Sequence, residues 1–558
     1  MKPIIYQLFP RLFTNYCETC IPNGDIEENG CGKMNGITSR ILRSIKQLGV
    51  THIWYTGVIE HAHRTDYTIY GIKKDNPYII KGNAGSPYAI SDYYDIDPDI
   101  AEDVNNRKQE FEQLVERTHE AGMKVVIDFV PNHLAREYRS DAKPAGIEDF
   151  GVHDDNQMFF SPYNDFYYIP RQLFSPSINL GDGDDAYIEF PAKASGNDAF
   201  TAFPNSNDWY ETVKLNYGVD YSDGSKHFSP IPGVWMKMLH ILRYWASRNI
   251  DAFRCDMVFM VPLEFWQWAI PQVKEKYPEV KFIAEIYDVN LYRPFIDAGF
   301  DYLYDKVNLY DTLRGIQCYN YSAAQLTNCW QTVEGISDKM LNFLENHDEQ
   351  RFASVFYAGD PVLAIPSLVV SATFSKGPVM IYAGQELGEP GMDAEGFSGR
   401  DGRTTIFDYW SIGTLRRWLN DGKPSEIKLT GRERWLRERY SAILNICNKE
   451  NAISDGAFFD LMYVNYNNPS LNPHRQFTYL RADKKTLIVI AVNFSNNSCD
   501  LHINIPQDAF DMLHLPYGTF EATELLTGES MEKTLDPSIP FNTFIPANSA
   551  VMWKIKIK

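Results

Sequence analysis

"RNIDAFRCDMVFM", residues 248–260, decides how the rest of the chain is read. Ile250, Ala252, Phe253, Met257, Val258 and Phe259 give it the profile of a buried strand, yet Arg254 and Asp256 stand inside it. Side chains alternate across a strand, so both charges face the same side. Buried charge is unfavourable unless it is paired or put to use. A structural ion pair suffices for an isolated Arg-x-Asp, so the surroundings must decide.

The surroundings are a repeated alternation. Strand-like runs occur at "PIIYQLF" (3–9), "VTHIWYTG" (50–57), "KVVIDFV" (124–130), "IDAFRCD" (250–256), "KFIAEIY" (281–287), "DYLYDKV" (301–307), "LNFLENHD" (341–348) and "PVMIYAG" (378–384). Between them lie helical patterns such as "ITSRILRSIKQLG", "RKQEFEQLVERTHEAG" and "GVWMKMLHILRYWASRN", with apolar residues at three- and four-residue spacing. Gly49 and Gly122 mark helix ends before the second and third strands. Eight strands alternating with helices predict an α/β fold, a (β/α)8 TIM barrel. One connection is not short: residues 134–229, after the third strand, are rich in Asp, Asn, Pro and Tyr and read as a loop-rich insert. Beyond about residue 452, short alternating strands such as "CDLHINIP" and "AVMWKIKIK" predict a C-terminal antiparallel β-sandwich. The expected organisation is a barrel from 1–133 and 230–451, the insert, and a sandwich over 452–558.

Bulk properties narrow the function. A net charge of −20 argues against nucleic acid or an anionic membrane as partner, since both need a basic footprint. The most apolar run, "VLAIPSLVVSATF" (362–374), is too short to span a bilayer and contains Pro366, so a core helix is expected. The start, "MKPIIYQLFPRLF", enters a strand pattern without an apolar leader, and a cytoplasmic location is expected. The eight cysteines are scattered; Cys17, Cys20 and Cys31 lack the fourth ligand a zinc site needs, so free thiols are expected.

Barrel chemistry sits at the C-terminal ends of the strands. Those ends carry Asn132 and His133 (third), Arg254 and Asp256 (fourth), Glu285 (fifth), and His347 and Asp348 (seventh). Close carboxylates cannot all ionise freely, so one can serve as an acid while Arg254 keeps Asp256 charged. An acid paired with a nucleophile suits glycoside hydrolysis with retention, with the two carboxyls about 5–5.5 Å apart. Metal-dependent hydrolysis is the competing chemistry, and the guanidinium beside Asp256 disfavours it.

The motifs "DFVPNH", "FRCD", "AEIY" and "ENHD", in this order, resemble the α-amylase superfamily, glycoside hydrolase family 13. "IYAGQE" (381–386) is similar to that family's motif after the eighth strand. The resemblance implies Asp256 as nucleophile, Glu285 as general acid/base, and Asp348 as the residue that grips substrate hydroxyls. It implies His133, His347 and Arg254 as substrate-side partners and Tyr88, in "SPYAISDYYDIDPD", as an aromatic platform. The substrate class it implies is an α-glucan or maltooligosaccharide. Water as acceptor makes a hydrolase and a sugar hydroxyl makes a 4-α-glucanotransferase; hydrolysis is favoured because most relatives hydrolyse. A catalytically silent sugar-binding protein has no reason to keep all three carboxylates.

Three departures from the family pattern matter. Phe259 and Met260 replace a Lys-His pair, which removes leaving-group contacts and a calcium-linked backbone position. Lys214, in "ETVKLNYG", stands where the family places a calcium-binding Asp. The expectation is therefore no cofactor, with the ammonium near Asn132 in place of the ion; the rival expectation points Lys214 to solvent. The loop "GDIEENGCGKMNG" (24–36) resembles a second calcium loop that has lost acidic positions and gained Lys33, and "GDGDD" (181–185) reads as a solvated turn.

Overall fold

The computed structural model describes residues 1–391 and 399–558. Eight parallel strands close into a barrel: β1 (Ile4–Leu8), β2 (His52–Tyr55), β3 (Lys124–Phe129), β4 (Ala252–Cys255), β5 (Lys281–Ala284), β6 (Tyr302–Tyr304), β7 (Met340–Phe343) and β8 (Val379–Tyr382). Each lies within a run read from sequence, but most stop earlier than those runs. β6 ends at Tyr304 because a π-helical turn, Lys306–Tyr310, begins two residues later. β5 ends at Ala284, and the freed backbone beyond it carries Glu285 into the barrel mouth.

The helices form where the apolar spacing places them. Thr38 caps Ser39–Gln47 through its hydroxyl, and Gly49 follows with φ of +101°. Arg107–Glu120 ends before Gly122 at φ +74°, and Gly233–Ala246 leads into β4. The apolar run around Pro366 is the helix Ala364–Thr373, buried along its whole length. Among the described residues no helix is long and apolar enough to cross a membrane.

The insert holds short antiparallel pairs, Tyr168–Ile169 with Ala192–Lys193 and His133–Ala135 with Thr212–Lys214. The second pair crosses the expected edge of the insert and sets His133 opposite Lys214. Two further connections are also long, contrary to the reading that only one is. Residues 56–106 follow β2 and contain a hairpin, Ile59–His61 with Ile90–Ile96; residues 383–430 follow β8. The turns and short hairpin of 56–106 carry no helical period, so sequence hides their extent, while 383–430 includes the helix Gly413–Leu419.

The C-terminal part is a six-stranded antiparallel sheet in the order 457–460, 476–482, 486–493, 549–556, 518–524 and 530–535. A pair, Cys499–Ile503 with Phe541–Ile545, shares its core; Phe541, Thr543 and Ile545 point in while Asn542 and Phe544 point out. This is the sandwich pattern.

Candidate active site

At the C-terminal end of the barrel lies a cavity of about 570 Å³, within the range of small-molecule sites. Asp256, Glu285, Asp348, His133 and Tyr88 all line it. Arg254 and His347 lie directly beneath, fully or almost fully buried.

Arg254 is the hub. Strand register sets it beside Asp128 on β3, and its Nη1 lies 2.8 Å from Asp256 Oδ1 and 3.5 Å from Asp128 Oδ1. Nη2 stands 2.7 Å from Glu285 Oε1, an ion pair without hydrogen-bond alignment, and Nε donates to Tyr304 Oη. Sequence reasoning assigned this guanidinium to Asp256 alone; the structure divides it between Asp256 and Glu285. Burial and the Glu285 charge push the Asp256 carboxyl well above the ordinary carboxylate range, against the pull of Arg254. One guanidinium thus serves three buried carboxylates, Asp128, Asp256 and Glu285.

Glu285 is held from three sides. Besides Arg254, the Met257 backbone N–H donates to Oε2 at 2.9 Å and the Tyr287 hydroxyl donates to Oε1. Met257 sits at φ +41°, a left-handed conformation unusual outside glycine, and this turn aims its N–H at Glu285. Asp348 is the open member of the trio, with a side chain 41% exposed. Burial would raise its carboxyl, but His347, hydrogen-bonded at 3.0 Å, and the Arg254 and Arg403 charges hold it down at about 2.

The imidazoles are oriented by their neighbours. Gln7 Nε2 donates to His347 Nδ1 at 2.8 Å, which assigns the ring proton to Nε2, facing Tyr88 Oη and Asp348 Oδ2. Tyr88 stacks on His347, with ring centroids 5.2 Å apart. Asn132 Nδ2 donates to His133 Nδ1, and burial with the Lys214 charge lowers His133 to about 3, so this ring is neutral. Trp209 of the insert lies 5.1 Å from the His133 ring and completes the wall.

A family model described as "Alpha amylase, catalytic domain" matches residues 7–414, most of the chain. The chain belongs to the α-amylase family. "Alpha-amylase 2" of Dictyoglomus thermophilum is 22% identical over 394 residues, 69% of this chain and 55% of that protein. "Maltase 1" of Drosophila virilis is 26% identical over 46% of this chain and 32% of its own length. The chain thus spans about half and about a third of these two relatives' lengths. Among solved structures, a noncanonic maltogenic α-amylase from Thermotoga neapolitana shares the fold with a TM-score of 0.62 at 19% identity, covering 100% of this chain and 99% of that one. An α-amylase from Geobacillus thermoleovorans, complexed with acarbose, does so with a TM-score of 0.63 at 18% identity, covering 99% and 98%.

The family departures have clear geometry. Lys214 is buried rather than solvent-facing, and its Nζ bonds Asn132 Oδ1, the Met260 carbonyl at 3.0 Å and Asp198 Oδ1 at 2.7 Å. Lys33 Nζ donates to the Asp99 carbonyl at 2.6 Å, and Asp25 caps the short helix Ile26–Asn29. The 181–185 turn is largely exposed. Cys17, Cys20 and Cys31 contact different groups and are free thiols. Glu386 of "IYAGQE" is spent on Tyr6 and Arg437 behind the barrel.

Sequence reasoning missed Asp128, Gln7, Met257, Tyr287 and Trp209. Asp128 was visible inside "DFVPNH" as one more charge in a buried strand. Met257 and Tyr287 act through a backbone turn and a side-chain reach that no residue pattern records.

Proposed function

We propose that this chain is a retaining glycosidase acting on α-linked glucose oligosaccharides or α-glucans. The observation that carries the reading is Arg254, which anchors Asp256 and Glu285 to one guanidinium at one cavity. Relatives named as amylases and maltases, and the acarbose complex of a structural neighbour, support the substrate class.

In this reading Asp256 attacks the anomeric carbon as the bond to the leaving oxygen breaks, and Glu285 gives that oxygen its proton. Positive charge growing on the sugar ring is met by the Asp256 carboxylate that Arg254 holds, while Glu285 serves as the acid toward the leaving oxygen. The product is a glycosyl ester on Asp256. Water then attacks the same carbon, Glu285 takes its proton, and the ester bond breaks, so two inversions give net retention. Asp348, held ionised, receives the sugar hydroxyls. Lys214 supplies fixed positive charge among three oxygens where the family places calcium, so activity needs no calcium at that position.

The test is proton NMR of the anomeric region during action on maltoheptaose. Fresh α-anomeric reducing ends are expected. Redistribution of chain lengths without net new reducing ends indicates a transferase, and initial β-anomer contradicts retention. Asp256→Asn should remove turnover and leave the circular dichroism unchanged; activity within about tenfold of wild type removes Asp256 from the nucleophile's role.

A further inference from the structure

Behind the cavity wall a second cluster of ionisable groups takes no part in the proposed chemistry. His63 follows the hairpin strand Ile59–His61, and Asp97 and Asp99 follow its partner Ile90–Ile96. His63 is 4% exposed and both aspartates are fully buried. One ligand-competent atom from each lies within 4.8 Å of the others.

The bonding leaves this cluster incomplete. Asp97 Oδ1 accepts the Asp99 N–H, while Asp97 Oδ2 and His63 Nδ1 are buried with no hydrogen-bond partner. The basic nitrogen within 4.0 Å of either carboxylate, among the described residues, is His61 Nε2, 3.7 Å from Asp97 Oδ2. That nitrogen already accepts from Arg11, because the other ring nitrogen of His61 faces the Ile59 carbonyl and holds the proton. Asp97 Oδ2 therefore meets a lone pair. Arg11 also directs Nη1 and Nη2 to the carbonyls of Ala84, Gly85 and Ile406, and its Nε–H is buried without a hydrogen-bond partner. Unpartnered buried polar atoms are unfavourable, and carboxylates most of all.

Asp99 is oriented like a ligand, with Tyr67 Oη donating to Oδ1 at 2.9 Å and Tyr409 Oη to Oδ2 at 2.6 Å. The other acidic group of this region, Glu60, Asp95 and Asp141, already has a cation: Arg107 grips Asp95 at 2.6 and 3.0 Å.

We propose that His63, Asp97 and Asp99 bind one divalent metal ion of zinc type, which braces the wall of the catalytic cavity. One imidazole nitrogen and two carboxylates are borderline-hard ligands suited to such an ion, with water completing the coordination. The brace runs through Tyr409 to residues 404–410, whose Ile406 and Phe407 line the cavity.

The full chain, stripped with EDTA, equilibrated with zinc chloride and desalted, is assayed for bound metal. One zinc per chain is expected for wild type and for Cys17→Ser/Cys20→Ser, and less than a tenth of that for Asp97→Asn. Zinc should raise the melting temperature of wild type and not that of Asp97→Asn. If Asp97→Asn misfolds, His63→Gln replaces it, and cobalt absorption of the wild-type chain needs no variant: visible d–d bands without a thiolate charge-transfer band are expected. No retained zinc, equal retention by both variants, or a thiolate band overturns the proposal.

Discussion

Lys214→Asp tests whether an ammonium does the work of an ion. The substitution removes the donor from the buried acceptor Asn132 Oδ1 and from the part-buried Met260 carbonyl. Each orphaned acceptor costs about 1–3 kcal/mol. The third partner, Asp198, is 36% exposed on its side chain, so that ion pair contributes about 1 kcal/mol or less. Burial lowers the Lys214 pKa, and relief of that desolvation offsets part of the loss. The expected net destabilisation is roughly 2–4 kcal/mol. The new carboxylate joins Asp198, Asn132 and a backbone carbonyl, an oxygen set suited to calcium. Calcium at about 100 times its dissociation constant should then restore roughly 2.7 kcal/mol. The assay is urea unfolding followed by tryptophan fluorescence, with and without calcium, for both proteins. Wild type should be indifferent to calcium and the variant should gain. Equal gains in both, or a variant as stable as wild type without calcium, refutes the reasoning.

Tyr287→Phe deletes the hydroxyl that donates to Glu285 Oε1, and kcat/KM should fall about five- to thirtyfold, equivalent to roughly 1–2 kcal/mol; an unchanged value removes Tyr287 from the site's electrostatics. Asp348→Asn should lower kcat/KM by about 10³ without moving the acid limb of the pH profile, because Asp348 titrates at about 2, below the working range. A shifted limb would assign that titration to Asp348. Asp305, just after β6, is raised to about 7 by burial, whereas its unfolded value is about 3.9. The folded chain then holds a proton that the unfolded chain lacks between those values, so stability falls as pH rises through that window. Asp305→Asn mimics the protonated form, and its stability advantage over wild type should grow from near zero at about pH 4 towards an upper limit of roughly 4 kcal/mol above about pH 7. A pH-independent difference contradicts this.

The chain itself determined the barrel, because β-branched runs and helical spacing are local properties, and eight alternations leave few architectures. It also marked the three carboxylates proposed as catalytic, because a charged residue at the end of an apolar strand stands out against its background. Arg254 and Asp256 were legible in this way, and Lys214 was legible as a cation in an acidic position. Only the tertiary structure decided that Arg254 serves Glu285 as well as Asp256, since the two acids follow different strands, which register sets side by side. It alone brought Gln7 to His347 across 340 residues and His63 to Asp97 and Asp99 across a hairpin with shifted register. Pattern along a chain reports which face a residue takes. Which partner it meets there depends on loop closure between distant segments, and no local periodicity encodes that.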